Sequence, residues 1–333
     1  MELSKAPGPG GKMKSGTKKV IIAALAANLL IAGTKMVAAW ITGSSAILSE
    51  AIHSLVDGGN QLLMLHGQRR AALAPDEEFP FGHGKEIYFW SFVVSILVFS
   101  LGSGLSLFEG INHLVHPHPM RDVKVNYIIL AASLLFEGFS WVVSFREFGK
   151  SKAPGQGYYQ AIREGKDPSL FLVVLEDTAA LLGLLAALAG IYLASLTGTP
   201  GYDGAASVVI GLILGGTAIL IAHETKGLLV GEAASREVVQ LIREIVQHGE
   251  HVEHVNEVLT LHMGPEFIVV TISLDFNDEV SAGEIERTVP LLEREIKERV
   301  PEVKKVFVEA QAWHRPKVRS ELLEGPPLGP PDQ

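Results

Sequence analysis

Cysteine is absent from the 333-residue chain, so disulfides, thiolate metal sites and cysteine nucleophiles are all excluded. Metal chemistry is thereby narrowed to hard or borderline cations held by imidazole and carboxylate. Positive charge is also short: Lys and Arg total 28 against 37 Asp and Glu, for a net charge of −9. No basic stripe carries interleaved aromatics, so nothing favours a nucleic-acid partner. A His-Glu-x-x-His run is missing too, which argues against an intramembrane metalloenzyme. The basic start, Met1 to Lys19, has no small-residue cleavage site behind it and no long Arg/Ser-rich leader. The following apolar run therefore reads as a retained first span and not as a signal peptide.

What the chain does have is apolar mass. Hydrophobic residues make up 47% and charged residues 20%, with a mean hydropathy of +0.27. A membrane domain joined to a soluble one fits both proportions. Six segments satisfy the spanning length of roughly 17–25 apolar residues: Val20–Ile41, Ser45–His66, Ile87–His113, Val125–Phe145, Ser169–Ala194 and Gly204–Ala222. The second is the least apolar, holding Ser49, Glu50, His53, Ser54, Asp57, Asn60 and Gln61. A helix so polar must line a bundle interior, because lipid cannot satisfy such groups.

Lys and Arg set the orientation. Lys5, Lys12, Lys14, Lys18 and Lys19, then Arg69, Arg70 and Lys85, then Arg146, Lys150, Lys152, Arg163 and Lys166 fall on one side. Only Arg121 and Lys124 fall on the other. Both termini are thus expected in the cytosol. From about Gly231 the pattern becomes soluble: helix Ser235–His248, strands Glu257–Leu261 and Phe267–Phe276 about a Gly264-Pro265 turn, helix Ala282–Arg299 and strand Lys304–Ala310. That order, αββαβ, predicts a small two-layer domain. The expected division is a basic tail over 1–19, a six-span all-α domain over 20–230, a ferredoxin-like α+β domain over 231–316, and a Pro/Gly-rich tail over 317–333, with both tails disordered.

Within the second span His53 and Asp57 stand four residues apart, on one helix face. An ionisable group at mid-bilayer costs about 2.5–3.5 kcal/mol even on a lenient scale, so it normally faces a partner or a pathway. An imidazole and a carboxylate at that spacing suit a small cation. They also suit a buried hydrogen-bonded pair that only fixes packing. The fifth span carries one charged pair, Glu176-Asp177. Asp177 lies eight residues beyond Ser169, more than two turns from the helix start, so a capping role does not explain it. Lys35, Glu109 and Glu137 also need partners, and a Lys35–Glu50 pair would hold the bundle together.

The run Gly43-Ser44-Ser45, then Ser49-Glu50-Ala51-Ile52-His53-Ser54-Leu55-Val56-Asp57, resembles the second span of the cation diffusion facilitators. Phe81-Gly82-His83-Gly84-Lys85-Glu86 resembles the segment leading into their third span. The run Leu175-Glu176-Asp177-Thr178-Ala179-Ala180 and the insert Gly155–Asp167 are most similar to the zinc transporter 9 branch and its bacterial relatives. The likeness extends over roughly Val20 to Gln311. It implies a homodimer, joined through the cytosolic domain, that exports a divalent metal from the cytosol in exchange for protons. Zn²⁺ is the implied cargo, with Mn²⁺, Fe²⁺ and Co²⁺ as alternatives, and no organic cofactor is called for. A bacterial cytoplasmic membrane is the expected location.

The resemblance assigns the transport site to His53, Asp57, Val173 and Asp177. Valine cannot ligate, so the fourth position is open to Glu176, to Glu50 one turn before His53, or to water. It assigns a second site to Asp76, Phe79 and His83, where phenylalanine removes a ligand and leaves either a metal relay or plain loop architecture. In the cytosolic domain the family's positions fall near Asn256, Ser273, Glu309 and Gln311, too poor a set for a resident metal. His251, His254 and His262 read as solvated surface. His113, His116 and His118 form an outer-side cluster that either receives released metal or simply marks a span end rich in Pro117 and Pro119. The family's interlock would join Lys85 to Glu232 or Glu224. A non-transporting scaffold that kept the fold with an incomplete site is the rival reading.

Overall fold

The computed structural model describes residues 15–152 and 155–313, with side chains described over 28–150, at 152 and over 155–313. The expected disorder of the tails therefore falls largely outside the described residues. The chain separates into two compact units, the first running to Glu232 and including His262–Pro265, the second holding Ala233–Leu261 and the residues from Glu266 on.

The first unit is helical: α1 (Ser15–Thr42), α2 (Ser45–Ala71), α3 (Glu86–Leu97), a π-helical segment (Val98–Ser103), α4 (Gly104–Val115), α5 (Val123–Ser151), α6 (Tyr158–Glu164), α7 (Pro168–Thr197) and α8 (Gly201–Val230). Among the described residues, four stretches are long and apolar enough to cross a membrane: Glu86–Val115, Val123–Lys150, Pro168–Thr197 and Gly201–Val230. Of the six expected spans, α2 falls short of that test, and α1 enters it only from Asn28 on. α1 contributes the shorter apolar stretch Asn28–Thr42, although its helix already begins at Ser15, ahead of the expected Val20. α2 is helical throughout but carries Glu50, His53, Asp57, Arg69 and Arg70. Its Ser45, Ser49, Glu50, His53, Ser54 and Asn60 are buried, turned into the bundle as a polar face must be.

Asp203, at the start of α8, anchors the N-terminus of α2. Its carboxylate accepts from Ser44 Oγ at 2.7 Å and from the Ser45 amide at 2.6 Å, while Ser44 Oγ accepts from the Ile47 amide at 3.2 Å. Orphan amides at a helix start are satisfied in this way. Ser49 pairs with Ser207, and Ser207 Oγ donates to the Ser106 carbonyl at 3.0 Å. Small residues then let the backbones of α4 and α8 touch. A Cβ on Gly110 would meet the Val208 nitrogen at 2.6 Å, the close approach typical of membrane helices.

The expected third span is continuous in length but changes winding at Val98–Ser103, where Ser103 Oγ donates to the Gly211 carbonyl at 2.7 Å. The insert expected over 155–167 contains α6, whose Tyr158 ring stacks on Phe145 with centroids 4.5 Å apart. Asp167 accepts from the Ser169 amide at 2.9 Å, and Pro168 takes the first helical position of α7, where its missing N–H costs nothing.

The second unit runs α9 (Arg236–Gln247), β1 (Val252–Gly264), β2 (Phe267–Phe276), α10 (Ala282–Arg299) and β3 (Val303–Ala310). The order is αββαβ, as the alternation in the sequence implies. The sheet runs β1-β2-β3, with β2 and β3 parallel and Leu274 opposite Ala310. Parallel pairing requires a crossover, and α10 supplies it. Ile242, Ile245 and Val246 of α9 and Leu292 and Ile296 of α10 form its core with Val270, Ile272 and Leu274. β1 is longer than the expected 257–261. His262, read from sequence as solvated, is buried and holds its Nδ1 near the Gly264 carbonyl oxygen at 3.3 Å. Strand alternation decides this, since its neighbour Leu261 takes the outward position.

Candidate metal centre

α2 presents Glu50, His53, Asp57 and Asn60 to the bundle interior. His53 Nδ1 lies 3.5 Å from Asp57 Oδ1, with Asp57 18% exposed. Neither His53 nitrogen has a hydrogen-bond partner, and neither does Asp57 Oδ1. Buried polar atoms are normally satisfied, so each such group demands an explanation. An imidazole and a carboxylate left open side by side form half of a cation site.

α7 supplies the facing groups in two directions. Glu176 Oε1 accepts from Asn60 Nδ2 at 2.7 Å, so this carboxylate is joined to the α2 face. Asp177 Oδ2 accepts from Ser144 Oγ at 2.7 Å and Ser140 Oγ at 3.2 Å, so it is held by α5. Val173, one turn before Asp177, is 40% exposed. Residues 173 and 177 share a face, and that face lies to the outside of the α2–α7 contact. Glu176, about 100° around the helix, turns inward. The structure thus brings His53 and Asp57 together, bonds Glu176 to Asn60 on their helix α2, and holds Asp177 on α5.

Glu50 is half committed elsewhere: its Oε2 is paired with Lys35, while its Oε1 is buried without a hydrogen-bond partner. Lys35 Nζ, buried on α1, lies 3.3 Å from Glu50 Oε2 and 3.7 Å from Glu137 on α5, and donates to Ser54 Oγ at 2.8 Å. The expected Lys35–Glu50 pair is present, and Glu137 joins it. A carboxylate already paired with a lysine is a poorer cation ligand. Asn60, Ser140 and Ser144 had no assigned role in the sequence reading. The available signal was spacing: Asn60 follows Asp57 by three residues and therefore shares its face.

The loop between α2 and α3 forms a closed turn. Asp76 Oδ1 accepts from the Phe79 amide at 2.7 Å, and Asp76 Oδ2 lies 3.0 Å from His83 Nε2. The Phe79 ring packs on His83 with centroids 4.6 Å apart. The Phe79 amide, and then the His83 contact, hold the Asp76 carboxyl below its ordinary value. Lys85 donates to the Leu229 carbonyl at 3.4 Å, and Glu232 pairs with Lys166 instead. The interlock assigned to Lys85 is therefore made by Lys166.

Of the four positions that the resemblance assigns in the second unit, Asn256, Ser273 and Gln311 carry neutral groups bonded to one another, and Glu309 is the one carboxylate. Asn256 Nδ2 donates to Ser273 Oγ at 3.3 Å and to the Gln311 carbonyl at 2.8 Å. Ser273 Oγ in turn donates to Gln311 Oε1 at 3.0 Å. Among the described residues, one trio of His and carboxylate side chains has ligand atoms all within 4.8 Å of one another, the exposed Glu253 and His254 with Asp275.

The family model described as the cation efflux transmembrane domain matches residues 21–230. The chain is 35% identical over 266 residues to a protein of Xenopus laevis named proton-coupled zinc antiporter SLC30A9, mitochondrial, covering 80% of this chain and 48% of that one. It is 29% identical over 265 residues to metal tolerance protein C4 of Arabidopsis thaliana, covering 79% of this chain and 58% of that one. It is 28% identical over 289 residues to the cation-efflux pump FieF of Escherichia fergusonii, covering 85% of this chain and 89% of that one. The chain spans about half the length of the SLC30A9 relatives it matches.

Proposed function

The chain belongs to the cation diffusion facilitator family of membrane efflux transporters, and we propose that it carries a divalent metal, zinc foremost, out of the cytosol in exchange for protons. The observation that carries this reading is the buried His53–Asp57 pair, in which neither the imidazole nitrogens nor the facing carboxylate oxygen have a hydrogen-bond partner. The names of the zinc antiporter and efflux-pump relatives support the cargo and the exchange.

In the proposed cycle Zn²⁺ binds His53 and Asp57 on α2 and Glu176 on α7, with Asp177 completing the site as it leaves Ser140 and Ser144. Glu176 takes the role that Val173 lacks the chemistry for. Ligands must lose their protons before metal binds, so loading releases protons and reloading by protons expels the metal. A cation among buried carboxylates also removes the penalty of isolated charge, which permits the bundle to rearrange. Mn²⁺, Fe²⁺ and Co²⁺ fit the same donors less selectively.

The same reading takes α1 and α2 as crossing helices beside the four apolar ones, giving six spans with both termini cytosolic. It takes the αββαβ unit as a ferredoxin-like dimerisation domain. A bacterial cytoplasmic membrane is the proposed location, and the mitochondrial relatives make an organellar membrane its competitor.

Zinc uptake into liposomes holding purified protein, with and without a proton gradient, tests the proposal. Uptake should be stimulated by the gradient and abolished by Asp177→Ala, and Glu176→Gln should impair it. The exposure of Val173 favours one rival, a scaffold with an incomplete site. Well-folded wild type that moves none of zinc, manganese, cobalt or iron would establish that rival.

A further inference from the structure

The end of α8 remote from Val230 gathers polar groups that the transport site does not use. Asp203 is fully buried, as is His113 near the end of α4. The contact between α4 and α8 explains their meeting. A Cβ on Gly204 would lie 3.1 Å from the Gly110 carbonyl oxygen and 3.2 Å from His113 Cβ, so the missing side chain lets His113 pack directly on α8. His113 Nδ1 stands 4.0 Å from Asp203 Oδ2. Neither His113 ring nitrogen makes a hydrogen bond of acceptable geometry.

A second imidazole closes over the first. Between α4 and α5 the chain turns back through Pro117, and the exposed His118 ring stacks on His113 with centroids 4.3 Å apart. The His118 ring also lies over Gly43, where a Cβ would meet it at 3.8 Å. His118 Nδ1 lies 3.3 Å from the His116 carbonyl oxygen. The Arg121 amide donates to the Thr42 carbonyl at 2.8 Å and pins the loop to the end of α1. A fully buried imidazole whose nitrogens make no hydrogen bond of good geometry, with a carboxylate beside it and an exposed imidazole stacked on it, is more than a packing arrangement needs.

We propose that His113, His118 and Asp203 form a second divalent-cation site. Zinc bonds to nitrogen and oxygen of about 2.0–2.2 Å put tetrahedral ligand atoms roughly 3.3–3.5 Å apart. The 4.0 Å gap between His113 and Asp203 must therefore close by about half an ångström. His118, on a loop, has the freedom to turn a nitrogen toward the same point. Each carboxylate oxygen has two lone pairs, so Asp203 can ligate while still anchoring Ser44 and Ser45. Three protein ligands leave one position for water, as in sites that exchange what they hold. Glu109 lies one turn deeper on the same face of α4. The part this site plays in transport, receiving metal as it leaves the bundle, rests on the function proposed above; its capacity to bind does not.

The test is a zinc count on the full-length protein in lipid nanodiscs, by equilibrium dialysis at about pH 7.5, above the ordinary imidazole range. Wild type should bind one more equivalent per chain than His113→Ala. Asp177→Ala should lose a different equivalent, so that the losses add in the double variant. His118→Ala changes an exposed loop residue and should weaken the second site roughly tenfold or more without loss of folding. Unchanged count and affinity in folded His113→Ala and His118→Ala would overturn the site and leave these residues a packing role. Should His113→Ala fail to fold, unchanged affinity in His118→Ala overturns it equally. Absence of liposome flux would strike the transport reading and leave the zinc count as measured.

Discussion

At the scale of single residues, the candidate centre turns on which side chains face one another, and Asn60 is the hinge of that question. It holds Glu176 at 2.7 Å while its own Oδ1, buried, has no partner. Groups that orient a ligand are commonly worth about 10–100-fold in metal affinity. Asn60→Ala should weaken zinc binding by that order with little change in folding, read as a shift in the zinc titration of purified protein. An unaltered titration would mean that Glu176 reaches the metal unaided or not at all. Asp76 presents a different case, because it lies outside the spans and its carboxyl is held low. A carboxylate depressed in the folded state stabilises while ionised. Its contribution is whole above the ordinary Asp value of about 3.9 and disappears as pH falls through the depressed one. Mild acid near pH 5 should thus leave the turn closed. Asp76→Asn should open it at neutral pH, raising amide exchange across residues 73–86 by mass spectrometry. Protection unchanged in that variant would show the loop to be held by the Phe79–His83 packing alone.

At the scale of elements, Lys35 ties α1 to α2 and α5 through Glu50, Ser54 and Glu137. Removing one partner of a buried ion pair costs about 3–5 kcal/mol, because the other charge is left uncompensated. Lys35→Met should lower thermal stability in detergent accordingly, and Lys35→Met with Glu50→Gln should recover much of the loss. Equal destabilisation in the single and double variants would contradict the pairing. This tie was legible from sequence, since a lysine in an apolar run must find an acid. So were the helical segments, the αββαβ order and the polar face of α2, because charge and alternation mark them. Other features were not. α7 is apolar all round except at Glu176-Asp177, so no periodicity revealed that Val173 faces outward and Glu176 inward. The change of winding at Val98–Ser103 ends at a residue bonded to Gly211 of α8, a contact far away in sequence. Asp203 gave no sign that it would anchor α2, for its partners lie some 158 residues earlier.

At the scale of the whole molecule, the exporter is proposed to work as a dimer, and one sheet face of the second unit is the surface proposed for it. Helices α9 and α10 bury one face of the sheet through Val270, Ile272 and Leu274. The alternate positions carry Leu259 and Leu261 of β1 and Phe307 of β3, which remain exposed. Large apolar residues exposed together on one sheet face mark an association surface more often than a solvated one. A twofold contact would use each of them twice, since the same patch meets its own copy. Burying an aromatic ring at the centre of such a patch contributes heavily to association, and a carboxylate there would be desolvated without a partner. Phe307→Glu, on a strand edge of a sheet whose core lies on the other face, should fold normally. Light scattering of the detergent-solubilised protein should then show the mass of one chain where wild type shows two. A variant that stays dimeric, with Leu259→Glu behaving alike, would locate the dimer contact in the membrane helices and leave this face for another role.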